Sequence, residues 1–227
     1  MIPRLALFLL PVLALAGCTQ HFAWHQKLTV VVETPAGEVS GASVTAVEVD
    51  GFDGLLPDGG DVDSRLKGEA VVVEVVPGRY LFVLPTGALG WADAAYGLGG
   101  PGTVFEENMR TIEAQVGKPP VPLPEKAWPL MVTFTDIDDP KTVQRVDPDD
   151  LAASFGPGVR LTAVTLAVTE EPVTEGKVEA VLGDLTQIGR QVDPATRLKY
   201  PPDFPEADIP SDAKYFDVSS FKTGLYK

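Results

Sequence analysis

The chain has 227 residues and a formal net charge of −14, with 32 acidic residues against 18 Lys and Arg. So acidic a surface repels nucleic-acid phosphates and anionic lipid headgroups, which excludes a nucleic-acid-binding role. Cys18 is the only cysteine, so no intrachain disulfide can form and stability has to come from a packed core.

The first eighteen residues read MIPRLALFLLPVLALAGC. Arg4 precedes an apolar run from Leu5 to Ala16, 12 residues long, whereas a helix that spans a bilayer needs roughly 20. A short apolar run behind a positive charge predicts a secretory signal peptide over residues 1–17. Its end, Leu15-Ala16-Gly17-Cys18, resembles the lipobox of bacterial lipoproteins. That resemblance implies cleavage before Cys18, a thioether-linked diacylglycerol on its sulfur, and acylation of the new amino group. Several acyl chains hold a protein on a membrane durably, where one gives only marginal attachment. The residue after the cysteine is Thr19, not aspartate. By the sorting rule of enterobacterial lipoproteins this implies the outer membrane, with the body facing the periplasm. An ordinary signal peptide with a chance cysteine is the alternative.

Residues 18–27 read as a lipidated tether, with Phe22 and Trp24 suited to a membrane interface. The tether holds both histidines, His21 and His25, a conceivable metal pair that lacks a third ligand nearby. Strands are expected from Leu28. LTVVVET stops at a turn containing Pro35 and Gly37, and GASVTAVEV forms the second strand. Residues 50–66 are rich in Gly and Asp and read as a loop. GEAVVVEVV and RYLFVL follow, joined by a Pro77-Gly78 turn. Closely spaced strands with such turns predict an antiparallel sandwich. The pattern over residues 28–84 (strand, Pro-x-Gly turn, Gly-Ala, strand, Gly-led strand, Pro-Gly-x-Tyr strand) resembles the transthyretin-like, carboxypeptidase-regulatory-like module. The resemblance implies a structural or binding unit and carries no catalytic residues.

Residues 86–102 contain six glycines and read as a mobile surface loop or a set of turns, with Trp91 and Tyr96 either exposed or folded back. EENMRTIEAQVG has helical spacing and a stop at Gly117. Residues 118–129 form a proline-rich connector with Trp128, excluded from any sheet centre because proline lacks a backbone donor. A second β region with a helix spans 130–192. It comprises LMVTFTD, a short helix in VDPDDLAASFG capped by Asp147, a central strand in GVRLTAVTLAVTEE, and a helix in KVEAVLGDLTQIGRQ. In that last helix Val178, Val181, Leu182, Leu185 and Ile188 form an apolar stripe. The stretch 130–174 also resembles a segment found among bacterial envelope proteins of unassigned activity. Residues 193–227 read as an extended tail that either wraps the domain or hangs free.

The expected architecture is therefore mainly β: an antiparallel transthyretin- or Ig-like sandwich over residues 28–192, with two or three peripheral helices. Strands 130–136 and 158–169 are expected to complete the core begun by 28–84; two small domains split by the connector are the alternative. With both histidines on the tether, a Ser-His arrangement inside the fold is disfavoured. Two acidic clusters remain, Asp58, Asp61 and Asp63, and Asp136, Asp138 and Asp139, as candidate calcium ligands. Three functions compete. One is a non-enzymatic, lipid-anchored module that binds an envelope protein or polysaccharide through Trp91, Tyr96 and Trp128; the equal alternative for these three side chains is a role as buried anchors of the core. Another is a hydrolase of envelope polymers using Asp136 with Asp138 or Asp139. The third is a calcium-stabilised binding module.

Overall fold

The computed structural model describes residues 19–52, 62–100, 104–139, 142–183 and 218–224. Two antiparallel sheets pack face to face as a β-sandwich. Six strands form the larger one: β1 (Thr19–Thr34), β2 (Gly37–Phe52), β3 (Val62–Glu69), β6 (Val121–Pro122), β9 (Arg160–Thr169) and β10 (Lys222–Thr223). Their order is β10-β3-β2-β1-β9-β6. The smaller sheet has β4 (Val71–Val76), β5 (Arg79–Val83), β7 (Met131–Phe134) and β8 (Val143–Arg145), in the order β4-β5-β7-β8. Strands of the two β regions thus mix: β9 pairs with β1 and β7 with β5. Helices α1 (Trp91–Tyr96), α2 (Phe105–Glu113), α3 (Leu151–Phe155), α4 (Lys177–Leu182) and α5 (Val218–Phe221) are all short.

The first strand is 16 residues long and starts at Thr19, not at Leu28. The stretch expected to be a tether is therefore sheet. Side chains alternate across a strand, and Phe22, Trp24, Gln26, Leu28, Val30 and Val32 are all buried. Phe22 and Trp24 extend the inward-facing row that Leu28 was expected to begin. Pro35 and Ala36 turn the chain into β2, with Thr34 opposite Gly37. Thr34 Oγ1 secures the turn, donating to Gly37 O at 2.8 Å and accepting from Ala36 N–H at 3.1 Å.

The smaller sheet is buried on both faces. Leu81 and Val83 point into the core between the sheets, while the alternate residues Phe82 and Leu84 join a second cluster. That cluster includes Val178 of α4, Phe134 and Phe221. Val181 and Leu182 pack against it, so the stripe on α4 is core packing as far as Gly183; Leu185 and Ile188 lie outside the described residues. The tail is not extended throughout, since its residues 218–224 dock as α5 and β10. Phe221 is fully buried there because its ring meets Phe82 edge-on at 5.8 Å.

Of the two readings of the Gly-rich stretch, the folded-back one holds: residues 88–96 form a 3-10 turn and α1, with Ala88, Trp91 and Ala92 buried. Two further expectations change. Asp150, not Asp147, caps α3 and accepts from Ala153 N–H at 3.2 Å, whereas Asp147 closes the preceding turn through Asp149 N–H. The strand expected to be central, β9, lies next to the edge, where its outer partner is the two-residue β6. The proline-rich connector supplies that edge strand, where a missing donor costs little.

Candidate functional site

The three aromatic residues expected to form a contact surface are drawn inward. Trp91 is buried in the main core, and Tyr96 and Trp128 are half-buried against it. Trp128 Nε1–H donates to Leu123 O at 2.9 Å. Burial pushes the Tyr96 hydroxyl pKa up, against a smaller opposing effect of its hydrogen bond to the Val168 backbone. An amphipathic ring with its polar tip satisfied locally serves as a core anchor. The Gly-rich stretch holds Trp91 there through the short helix α1.

The acidic clusters are also engaged locally. Asp58 and Asp61 lie outside the described residues. Asp63 accepts from Arg65 Nη1 at 2.9 Å. Asp136 Oδ1 accepts from Asp138 N–H at 3.1 Å, and Thr142 Oγ1 lies 2.7 Å from Asp136 O and 2.8 Å from Asp139 O. This closes the β7–β8 connection as a side-chain-supported turn. Among the described residues, no three His, Cys, Asp or Glu side chains converge as a metal ion would need.

Polar chemistry concentrates instead on the outer face of the six-stranded sheet. The hairpin register sets His21 of β1 opposite Asp50 of β2. His21 Nδ1 lies 2.6 Å from Asp50 Oδ1, and Arg65 of β3 reaches Asp50 at 2.6 Å and Glu48 at 3.0 Å. The hydrogen bond from His21, and then that from Arg65, hold the Asp50 carboxyl below the usual carboxylate range. Next along the face, His25 sits opposite Ala46 and Thr169. Its Nδ1 is 2.7 Å from Glu171 O. A carbonyl only accepts, so Nδ1 carries the proton and Nε2 of the neutral ring is left as an acceptor.

Around His25 lies a shallow, open depression of about 300 Å³, lined by Ala23, His25, Ala46, Glu48, Val116 and Glu170 among others. The small side chains of Ala23 and Ala46 leave the space. Glu170 and Glu48, the latter already paired with Arg65, give the rim its carboxylate oxygens, so the chemistry suits cations and hydrogen-bond donors rather than anions. The histidines were visible in the sequence, but not as sheet residues. Their i, i+4 spacing on a strand places them about 13 Å apart, too far to share one metal ion.

A second polar cluster lies under α4. Glu69 is buried, and its carboxylate accepts from the backbone N–H groups of Gly176 and Lys177, both at 2.8 Å. Glu179 accepts from Lys222 Nζ at 2.5 Å. Burial is the largest single influence and would raise the Glu179 pKa; the Lys222 hydrogen bond and charge, a backbone N–H and a hydrogen bond with Glu69 together outweigh it, and the net shift is downward. These contacts fasten β10 to the body.

No family model, no curated protein and no solved structure matches this chain. Among the described residues, no helix is long and apolar enough to cross a membrane.

Proposed function

We propose that the protein is a lipid-anchored bacterial envelope protein, held through Cys18 on the outer membrane and facing the periplasm. In this reading it is a non-enzymatic module that binds or supports another envelope component. One observation carries the proposal: the lipobox-like Leu15-Ala16-Gly17-Cys18 ends one residue before a strand built into the sheet. An anchor at Cys18 would thus attach to a rigid body with no leash between. The positions of the β1–β2 and β4–β5 turns, at Pro35 and at Pro77-Gly78, support kinship to transthyretin-like binding modules. The acidic depression around His25 is the contact surface this reading favours. Its occupant is a cationic or donor-rich portion of an envelope protein or polysaccharide.

Mass spectrometry of the protein purified from its own envelope tests the anchor. A mature amino terminus at Cys18 carrying diacylglycerol is expected; an unmodified Cys18 thiol, or a retained leader in a cytosolic fraction, would end the proposal. The binding role is tested by capture from detergent-solubilised envelope with wild-type protein and with an A46W variant that fills the depression. A partner retained by wild type and lost by the variant is expected. Equal recovery by both proteins would remove the depression from the account.

A further inference from the structure

We infer that the end of the sandwich carrying Thr19 is a membrane-facing surface, where Val62, Val104 and Phe105 rest against the bilayer that holds the Cys18 anchor. The inference rests on the anchor reading above and adds an orientation and a contact face to it. Cys18 is one peptide bond from Thr19, so their Cα atoms are about 3.8 Å apart. Thr19 pairs with Phe52, Gln20 with Gly51, and Gly51 in turn with Val62. The Phe105 ring lies directly over Gly51, where an added Cβ would come within 2.9 Å of it. Val104 is the residue preceding α2. These side chains therefore lie at the same end of the sheet as the anchor, within two strands of the point at which it enters the fold.

Their exposure is out of keeping with their chemistry. Val62 is 52% exposed, Val104 53% and Phe105 37%, and they make up three of the five large exposed apolar residues among those described. Clustered exposed apolar groups mark interaction sites, whereas scattered ones need no explanation. The acids beside them are only partly balanced, since one guanidinium, Arg65, is shared by Glu48, Asp50 and Asp63; the remaining negative charge disfavours anionic headgroups and makes zwitterionic lipid the surface this face meets. Arg110 pairs with Glu106 one turn along α2. The opposite end is far away, because sixteen residues of strand at about 3.3 Å each place the Pro35–Ala36 turn about 50 Å from the anchor. A surface-bound anchor, no leash and an apolar collar together orient the long β1–β2 hairpin away from the membrane.

The experiment uses the acylated full protein in vesicles of phosphatidylethanolamine and phosphatidylcholine, at one protein or fewer per vesicle. A Cys introduced by V104C, or by A36C as the distal control, is labelled with an environment-sensitive fluorophore; a thioether at Cys18 leaves that sulfur unlabelled. Relative to detergent solution, iodide quenching at position 104 is expected to fall about threefold and lipid-borne quenchers to act there, with no change at position 36. Equal accessibility of 104 and 36 in a protein whose mass shows acylated Cys18 and which floats with vesicles would overturn the inference while leaving the anchor standing. Protection that follows protein density instead of lipid would assign the face to a second copy and overturn it too. A chain with an unmodified Cys18 that does not float would refute the anchor itself, and the orientation with it.

Discussion

The backbone N–H of Ala70 donates to the carbonyl of Phe221 at 2.8 Å. Ala70 is the single residue between β3 and β4, where the chain leaves one sheet for the other. A break in a ladder normally leaves a backbone donor without a partner, at a cost when buried. Here a residue 151 positions later in the chain supplies the acceptor, and its side chain fills the space above Phe82 and Phe134.

The first prediction follows from that contact. Phe221→Ala removes a fully buried ring and should destabilise the protein by about 3–5 kcal/mol. Guanidinium unfolding followed by far-UV circular dichroism would measure it. A loss below about 0.5 kcal/mol, the level typical of an exposed site, would mean that the tail does not dock in solution.

A pH window is expected for the neighbouring ion pair. Lys222 lies 2.5 Å from Glu179, and its pKa is raised, first by the hydrogen bond to that carboxylate. A group whose folded pKa is depressed contributes stability above its unfolded pKa and loses it as pH falls through the folded value; a group whose folded pKa is raised contributes below its unfolded value and loses it as pH rises through the folded one. Glu179 is depressed from 4.5 and Lys222 raised from 10.5. The stability difference between wild type and Lys222→Met should therefore be flat between these two values, shrinking below the lower and above the upper. Urea unfolding of both proteins across pH would show it. A difference that persisted unchanged into strong acid would rule out the pair as its source.

Much of this fold was legible because local chemistry and tertiary demand agree. The Pro35 and Pro77-Gly78 turns were read correctly, since each sits between β-branched runs that can only bury themselves as strands. The tether was misread because Thr19 to Lys27 mixes polar and aromatic residues, and their alternation becomes meaningful only once β2 supplies the opposite strand. Extending the register back from the Pro35–Ala36 turn places His21 against Asp50; the outer-face network was thus latent in the sequence for a strand of the right length. Trp91 stayed open between surface and core in the sequence because its glycine-rich neighbours suggest mobility, and core packing decides it. Nothing local could have revealed Glu69 or Phe221. The amides that hold the Glu69 carboxylate lie 107 and 108 positions away, and the rings against Phe221 lie 87 and 139 positions away, so only the folded chain brings them together.

Gly41 offers a test of how closely the sheets approach. A Cβ built there would lie 2.3 Å from the backbone oxygen of Val72 and 2.9 Å from Val73 Cγ2. A side chain could rotate aside, but a carbonyl held in a sheet cannot. Gly41→Ala should cost about 1–3 kcal/mol through overpacking, even though alanine is better than glycine in a strand interior on conformational entropy alone. Thermal unfolding compared with Gly90→Ala, where a Cβ meets nothing within 4 Å, would separate the effects. Equal melting temperatures for the two variants would contradict the packing described.

Glu69 carries the last prediction. It is 1% exposed, and its two carboxylate oxygens each take one backbone N–H at the start of α4, from Gly176 and Lys177. Helix starts have amide donors with no partner inside the helix, and a negative charge beside them is favourable. Glu69→Ala removes both acceptors and should destabilise the protein by about 2–4 kcal/mol, since hydrogen bonds to a charged group contribute about 1.5–3 kcal/mol each. Glu69→Gln keeps one acceptor and should lose roughly half as much. Amide hydrogen exchange gives the decisive readout: protection at Gly176 and Lys177 should fall in the Ala variant before protection in β1 and β2 does. Unchanged exchange at those two amides would show that the carboxylate does not hold α4, and the docking of β10 through Glu179 would then need a different foundation.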